Sequence, residues 1–144
     1  MKKSVKSISL FLGISMFAFG MLKFIDPFKS WYTTQVVMSE LPFQQLSYWS
    51  GQLGEILSGL IFLLLVLYRH KISPKKLTLS LIINNVAIAF MMLVAFYVHI
   101  HPNVLNDVLP LKIKPPFIPA FFFALAILNI WLEKRQYTTN DNNE

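Results

Sequence analysis

Apolar residues fall along this chain in four long, nearly unbroken blocks, at about 5–25, 49–68, 77–100 and 116–132. A bilayer core is about 30 Å thick, so a helix needs roughly 20 mostly apolar residues to cross it. Each block meets or approaches that length. The pattern predicts an all-α, four-transmembrane-helix bundle in one domain, 1–136, followed by a flexible polar tail, 137–144. The stretch 69–76 is so short that spans two and three must form a helical hairpin. In the longer connection 26–48, residues 28–32 suit a segment lying along the membrane interface. Pro42 suits the first turn of an extended second helix, where its missing N–H costs nothing. The start, with Lys2, Lys3 and Lys6 before an apolar run and Ala18-Phe19-Gly20, has the outline of a secretory signal. The run continues through Met21-Leu22, and it reads as an uncleaved first helix.

Composition agrees with the pattern. Of the 144 residues, 55% are hydrophobic and only 14% charged, with a mean hydropathy of +0.53, against ~45–50% and ~25% in average soluble domains. Aromatics at 15% exclude a disordered chain. The absence of cysteine excludes a disulfide scaffold, a thiol redox centre and a cysteine-linked lipid anchor.

The net charge of +6 is a topology signal. Lys2, Lys3, Lys6, Arg69, Lys71, Lys75, Lys76, Lys134 and Arg135 lie on one side of the spans. Lys23, Lys29, Lys112 and Lys114 lie on the other. Cytoplasmic ends collect Lys and Arg, so both termini are expected inside a bacterial-type cytoplasmic membrane. Trp31, Tyr32, Tyr48, Trp49 and Tyr97 mark the outer boundary, and Tyr68 and Trp131 the inner one. Basic residues divided between two membrane surfaces do not form a nucleic-acid footprint. The partners expected are the lipid bilayer and either a partner subunit or a second copy of the chain.

An ionisable group within a span costs about 2.5–3.5 kcal/mol, so each one calls for a reason. Glu55 sits in the outer half of the second span. On a helical wheel it shares a face with Gly51, Gln52, Ser58 and Gly59, while Leu53, Leu57, Leu60 and Leu64 lie elsewhere. Ser50, Gly54 and Ser58 add a ridge of small residues, which lets helices approach closely in lipid. Lys23, one turn beyond Gly20 near the outer end of the first span, is the expected partner of Glu55. Two readings of this pair stand: a buried ion pair that only fixes helix register, or a site that titrates or binds a polar ligand.

His99 and His101 flank the outer end of the third span. His99 shares a face with Asn84, Met91 and Ala95, and is expected to point into the bundle. Both histidines are candidates for a metal, but i and i+2 on a helix point apart and further ligands are needed, so no metal is assigned. Asn84 and Asn85 suit helix–helix hydrogen bonds. The loop after Pro102, with Pro110, Pro115, Pro116 and Pro119, should be stiff and largely non-helical, and should act as a lid over the end where Lys23, Glu55 and His99 gather. Lys112 and Lys114 are placed to meet lipid phosphates or an anionic ligand.

Gly20-Met21-Leu22-Lys23-Phe24, Gly54-Glu55-Ile56-Leu57-Ser58-Gly59, His99-Ile100-His101-Pro102 and 109–116 together resemble the DoxX-like family of small four-helix membrane proteins. The resemblance covers nearly the whole chain short of the tail, and it carries the family pattern onto Gly20, Lys23, Glu55 and Gly59. It implies a four-helix membrane bundle and, from members tied to quinone-coupled oxidoreductases, a membrane subunit of a redox system. Without cysteine, that role needs a quinone, a metal or a partner subunit. Glu55 and His99 are then the candidates for proton exchange, and Trp31 or Trp49 for lining the ring. The competing readings are a small-solute transporter and a non-enzymatic, chaperone-like assembly protein. No haem, nucleotide-binding or Ser-His-Asp motif is present.

Overall fold

The computed structural model describes the backbone of residues 3–141 and the side chains of 3–135. Five helices follow one another: α1 (Lys3–Leu22), α2 (Phe28–Met38), α3 (Gln44–Leu67), α4 (Pro74–Ile100) and α5 (Phe117–Asp141). There is no strand among the described residues. α1, α3, α4 and the Phe117–Arg135 part of α5 are each long and apolar enough to cross a membrane. The core between them is formed by Val5, Leu12 and Met16 of α1, Phe62 of α3, Leu81 and Ile88 of α4, and Phe122 and Ala126 of α5. Leu53, Leu57, Leu60 and Leu64 of α3 and Ile83, Val86, Phe90 and Leu93 of α4 face outward. An outer surface this apolar suits lipid, because helices satisfy their own backbone groups there.

The helix ends differ from the hydropathy blocks for local reasons. α1 stops at Leu22 rather than at residue 25. Pro27 lacks an N–H and holds Asp26 away from helical geometry, so Lys23 lies just past the helix in a tight turn. α3 begins five residues before the apolar block, because Gln44, Gln45 and Ser47 continue the helix although hydropathy does not register them. Pro42 does not open that helix. Phe43, at φ 50°, intervenes, and Glu40, at φ 52°, turns the chain just before it. α4 starts at Pro74, where proline is tolerated in the first turn. α5 continues past residue 132 to Asp141, so part of the expected tail is helical backbone. Residues 142–144 of that tail lie outside the described residues.

Segment 28–32, expected at the interface, belongs to a full helix, α2. The Asp26 carboxylate accepts the Ser30 backbone N–H at 3.3 Å and so ties down its first turn. α2 buries only Val36.

The most extensive helix contact is α1 against α3, followed by α4 against α5; α3 against α4 is slighter although the two are joined by a short turn. Glycines explain the first. A Cβ on Gly13 would lie 3.1 Å from Phe62 Cβ and 3.3 Å from the Gly59 carbonyl, and one on Gly59 would press into the α1 backbone at Gly13 and Phe17. Backbones this close gain many dispersion contacts, the main source of helix association in lipid.

The proline-rich connection forms two single 3-10 turns, Asn106–Val108 and Pro110–Lys112, with Leu111 and Lys112 at positive φ. It packs on α2 and on the end of α4. Val104 and Leu109 are buried with Val98, beside Met38 and Leu41, and the Gln35 amide donates to the Val108 carbonyl. Lys114 turns inward, donating to the carbonyls of His101 (2.8 Å) and Val104. It therefore fastens the loop rather than reaching for an anion. Lys112 pairs with Asp107 at 3.6 Å on the exposed side.

Candidate functional site

Lys23 Nζ lies 2.7 Å from Glu55 Oε1, and both side chains are largely buried, at 17% and 15% exposure. Gly20, one turn before Lys23, makes this meeting possible. A Cβ there would lie 2.6 Å from Ile56 Cγ1 and 3.1 Å from the Gln52 carbonyl, so only glycine lets the end of α1 settle against α3 beside Glu55. Tyr32 of α2 covers the pair. The Lys23 ammonium stands 4.0 Å from its ring centroid, a cation–π contact. The Tyr32 hydroxyl donates to the Tyr48 carbonyl at 2.9 Å. Gly51 leaves the space that this hydroxyl occupies, since a Cβ there would strike it. The Tyr32 and Tyr48 rings lie 4.9 Å apart, tilted by 38°, and Tyr48 meets Trp49 edge-on at 5.3 Å.

Glu55 uses one oxygen on Lys23. Its Oε2 is buried without a hydrogen-bond partner among the described residues, and so are both polar atoms of Gln52, a fully buried side chain one turn away on the same face. Unmatched buried polar atoms cost about 1–3 kcal/mol each and are rare in native interiors. One donor and two acceptors are therefore held together beneath Tyr32 with their capacity unused.

Tyr32 is itself perturbed. Burial, then the nearby charge of Glu55, then Tyr48, push its phenol above the ordinary tyrosine range. The folded protein thus keeps a proton that the unfolded chain begins to lose near pH 10. Stability from this source is complete below pH 10 and is lost as pH rises beyond it. Above pH 10 the protein should lose about 1.4 kcal/mol per pH unit relative to Tyr32→Phe. Thermal melts of the two proteins between pH 9 and about 11.5 measure this; parallel curves would refute it.

The other expected residues are placed separately. Gly54 faces α4, 2.8 Å from Met91 Sδ for a Cβ built there. Asn84 Nδ2 donates to the Ser58 carbonyl at 2.9 Å, joining α4 to α3 one turn inward of Glu55. His99 is buried, as its face required, but its Nδ1 donates to the Ala95 carbonyl of its own helix at 2.8 Å. Gly54 sits level with Met91, and His99 lies eight residues farther out, about 12 Å at the helical rise. His99 and Glu55 do not form one site, and the lid covers the former only; α2 covers the latter. His101 stands against Tyr97 at 5.5 Å. No group of three or more His, Cys, Asp or Glu residues suited to a metal forms among the described residues.

A second polar cluster occupies the opposite half of the bundle; it joins Asn85, expected to bond between helices, to Ser9, Asn129, Thr78 and Glu133, which the sequence did not single out. Asn129 Nδ2 donates to Ser9 Oγ (3.0 Å) and Asn85 Oδ1 (3.3 Å), tying α5 to α1 and α4. Asn85 Nδ2 donates to the Leu81 carbonyl at 2.7 Å. One turn along α5, Glu133 is buried and accepts the Thr78 hydroxyl at 2.6 Å. Glu55 is thus not alone among acidic residues within a span. The spacing of Asn129 and Glu133, i and i+4 on one face, was the available signal.

No protein-family model, curated protein or solved structure matches the chain.

Proposed function

We propose that the chain is a multi-pass, DoxX-like protein of a bacterial-type cytoplasmic membrane with both termini inside, and that it serves as the membrane subunit of a quinone-linked redox system. The observation that carries this reading is the set of unmatched buried atoms beside the ion pair, Gln52 Nε2, Gln52 Oε1 and Glu55 Oε2. A quinone headgroup is apolar in its body and presents a carbonyl oxygen that accepts a hydrogen bond, or a hydroxyl that donates one. The donor set fits one such edge. When bound, a quinone supplies paired electron and proton chemistry. Here Gln52 Nε2 would donate to the ring oxygen, and Glu55 Oε2 would hold or release the proton. Lys23 neutralises the carboxylate when it is charged, and Tyr32 excludes water from above. With no cysteine in the chain, a partner subunit is the electron source this reading assigns. The division of basic residues along the sequence supports the orientation.

Titrating the purified protein with a short-chain quinone analogue, read by tryptophan emission, tests the proposal. Trp49 adjoins the site through Tyr48 and should be quenched saturably. Gln52→Leu and Glu55→Gln should each weaken binding about tenfold, the worth of one hydrogen bond. Absence of saturable quenching in the unaltered protein, or indifference to both substitutions, would sink the proposal.

A further inference from the structure

At the end of the bundle that holds the start of α1 and the α3–α4 turn, Lys3, Lys6, Arg69 and His70 surround a cleft of about 380 Å³ with Leu77 in its wall. The cleft belongs to none of the features described above. Its volume lies in the ~300–1,000 Å³ range of small-ligand sites. No acidic residue lines it, and Lys3, Lys6 and Arg69 form no ion pair among the described residues. Arg69 makes one side-chain hydrogen bond, from Nε to His70 Nε2 at 3.1 Å, which leaves the outer N–H groups of its guanidinium directed elsewhere. Three cations, two from the first turns of α1 and one from the α3–α4 turn, repel one another unless an anion lies between them. The lysines contribute point charges, and the arginine a planar fork suited to phosphate oxygens.

We infer that this cleft is a binding site for the phosphate of an anionic phospholipid. The chemistry alone would serve a lipid phosphodiester or free phosphate. Position and lining decide between them. The cleft opens at the end of the apolar helices, where helices that cross a bilayer reach its headgroups, and Leu77, which is buried, offers an apolar wall to a glycerol backbone. Basic pockets between transmembrane helices at this level recognise anionic headgroups. A phosphate held there would link the α3–α4 turn to the N-terminal turn of α1, beside the apolar packing of Val5, Ile72 and Leu77.

Native mass spectrometry of the full chain in neutral detergent, with equal phosphatidylglycerol or phosphatidylcholine added, provides the test. Phosphatidylglycerol should be retained over phosphatidylcholine. The paired substitution Lys6→Gln with Arg69→Gln should reduce retention about tenfold, taking each cation at roughly fivefold with partial overlap. Neither side chain is in the core, so helicity and elution should be unchanged in this variant. Lys75→Gln with Lys76→Gln, on the same face but outside the cleft, should retain the lipid. Equal retention of the two lipids, an equal loss in the Lys75 and Lys76 control, or displacement by excess inorganic phosphate would each overturn the inference.

Discussion

Gly59→Ala, a single added methyl group, should cost the protein about 3 kcal/mol of stability in detergent, at the upper end of overpacking penalties. Alanine is the better helix former by about 1 kcal/mol, so on an exposed helix the same change would stabilise. Here the new Cβ would meet α1 main chain: the Gly13 carbonyl and the Phe17 Cα at 2.8 Å, and the Phe17 nitrogen closer still. Main chain cannot rotate aside. Relief requires α1 to move away from α3, and that motion would also separate Gly20 from Ile56 and Lys23 from Glu55. Gly54→Ala is the internal comparison. Its Cβ would meet only Met91 Sδ, at 2.8 Å, the end of a flexible side chain. This substitution should shift stability by less than about 1 kcal/mol. Loss of helical signal on heating, followed by circular dichroism, measures both. A Gly59→Ala protein that melts with the unaltered one would disprove the close α1–α3 seam.

Lys23→Met should be nearly as damaging, at about 3 kcal/mol, the lower end of the range for breaking a buried pair. The lower end applies because both side chains retain a small exposure, 17% and 15%. Most of that loss belongs to the carboxylate left behind, not to the missing attraction. The double change Lys23→Met with Glu55→Leu should therefore recover most of the stability, since apolar replacements of a buried pair are often neutral or better. A double variant as unstable as the single one would show that the pair itself holds the helices. The double variant also separates structure from chemistry. If the fold returns while binding of the quinone analogue does not, Glu55 acts on the ligand. If both return, the pair serves only helix register.

Hydropathy was enough to find four spans and to orient the small face of α3, because lipid selects length and composition directly. The Lys23–Glu55 pair was legible for a related reason: two charges at one depth have few partners to choose from. What escaped depended on contacts between distant segments. Tyr32 reads as one interfacial aromatic among several, and only the fold sets its ring over Lys23 and its hydroxyl into the space at Gly51. Gly13 looks like any glycine in a span until Phe62 is packed on it. Glu133 falls one residue past the last apolar block, so hydropathy leaves it outside the span, while Thr78 on α4 draws it inside. His99 misled for the opposite reason. Its face was read correctly, but along α4 it stands about 12 Å beyond the level of Glu55.

The pairing of α1 with α3 and of α4 with α5 also bears on how the chain is made. A nascent chain emerges from its N-terminus, and domains assemble as their parts appear. The first seam has both of its glycine-bearing partners by residue 67, before α4 has been synthesised. The second needs nothing from the first half to close. Synthesis therefore delivers two hairpins in turn, and the α3–α4 and α1–α5 contacts between them are the last surfaces to form. Lipid or a partner protein has its widest opportunity to enter there while the second hairpin is still arriving.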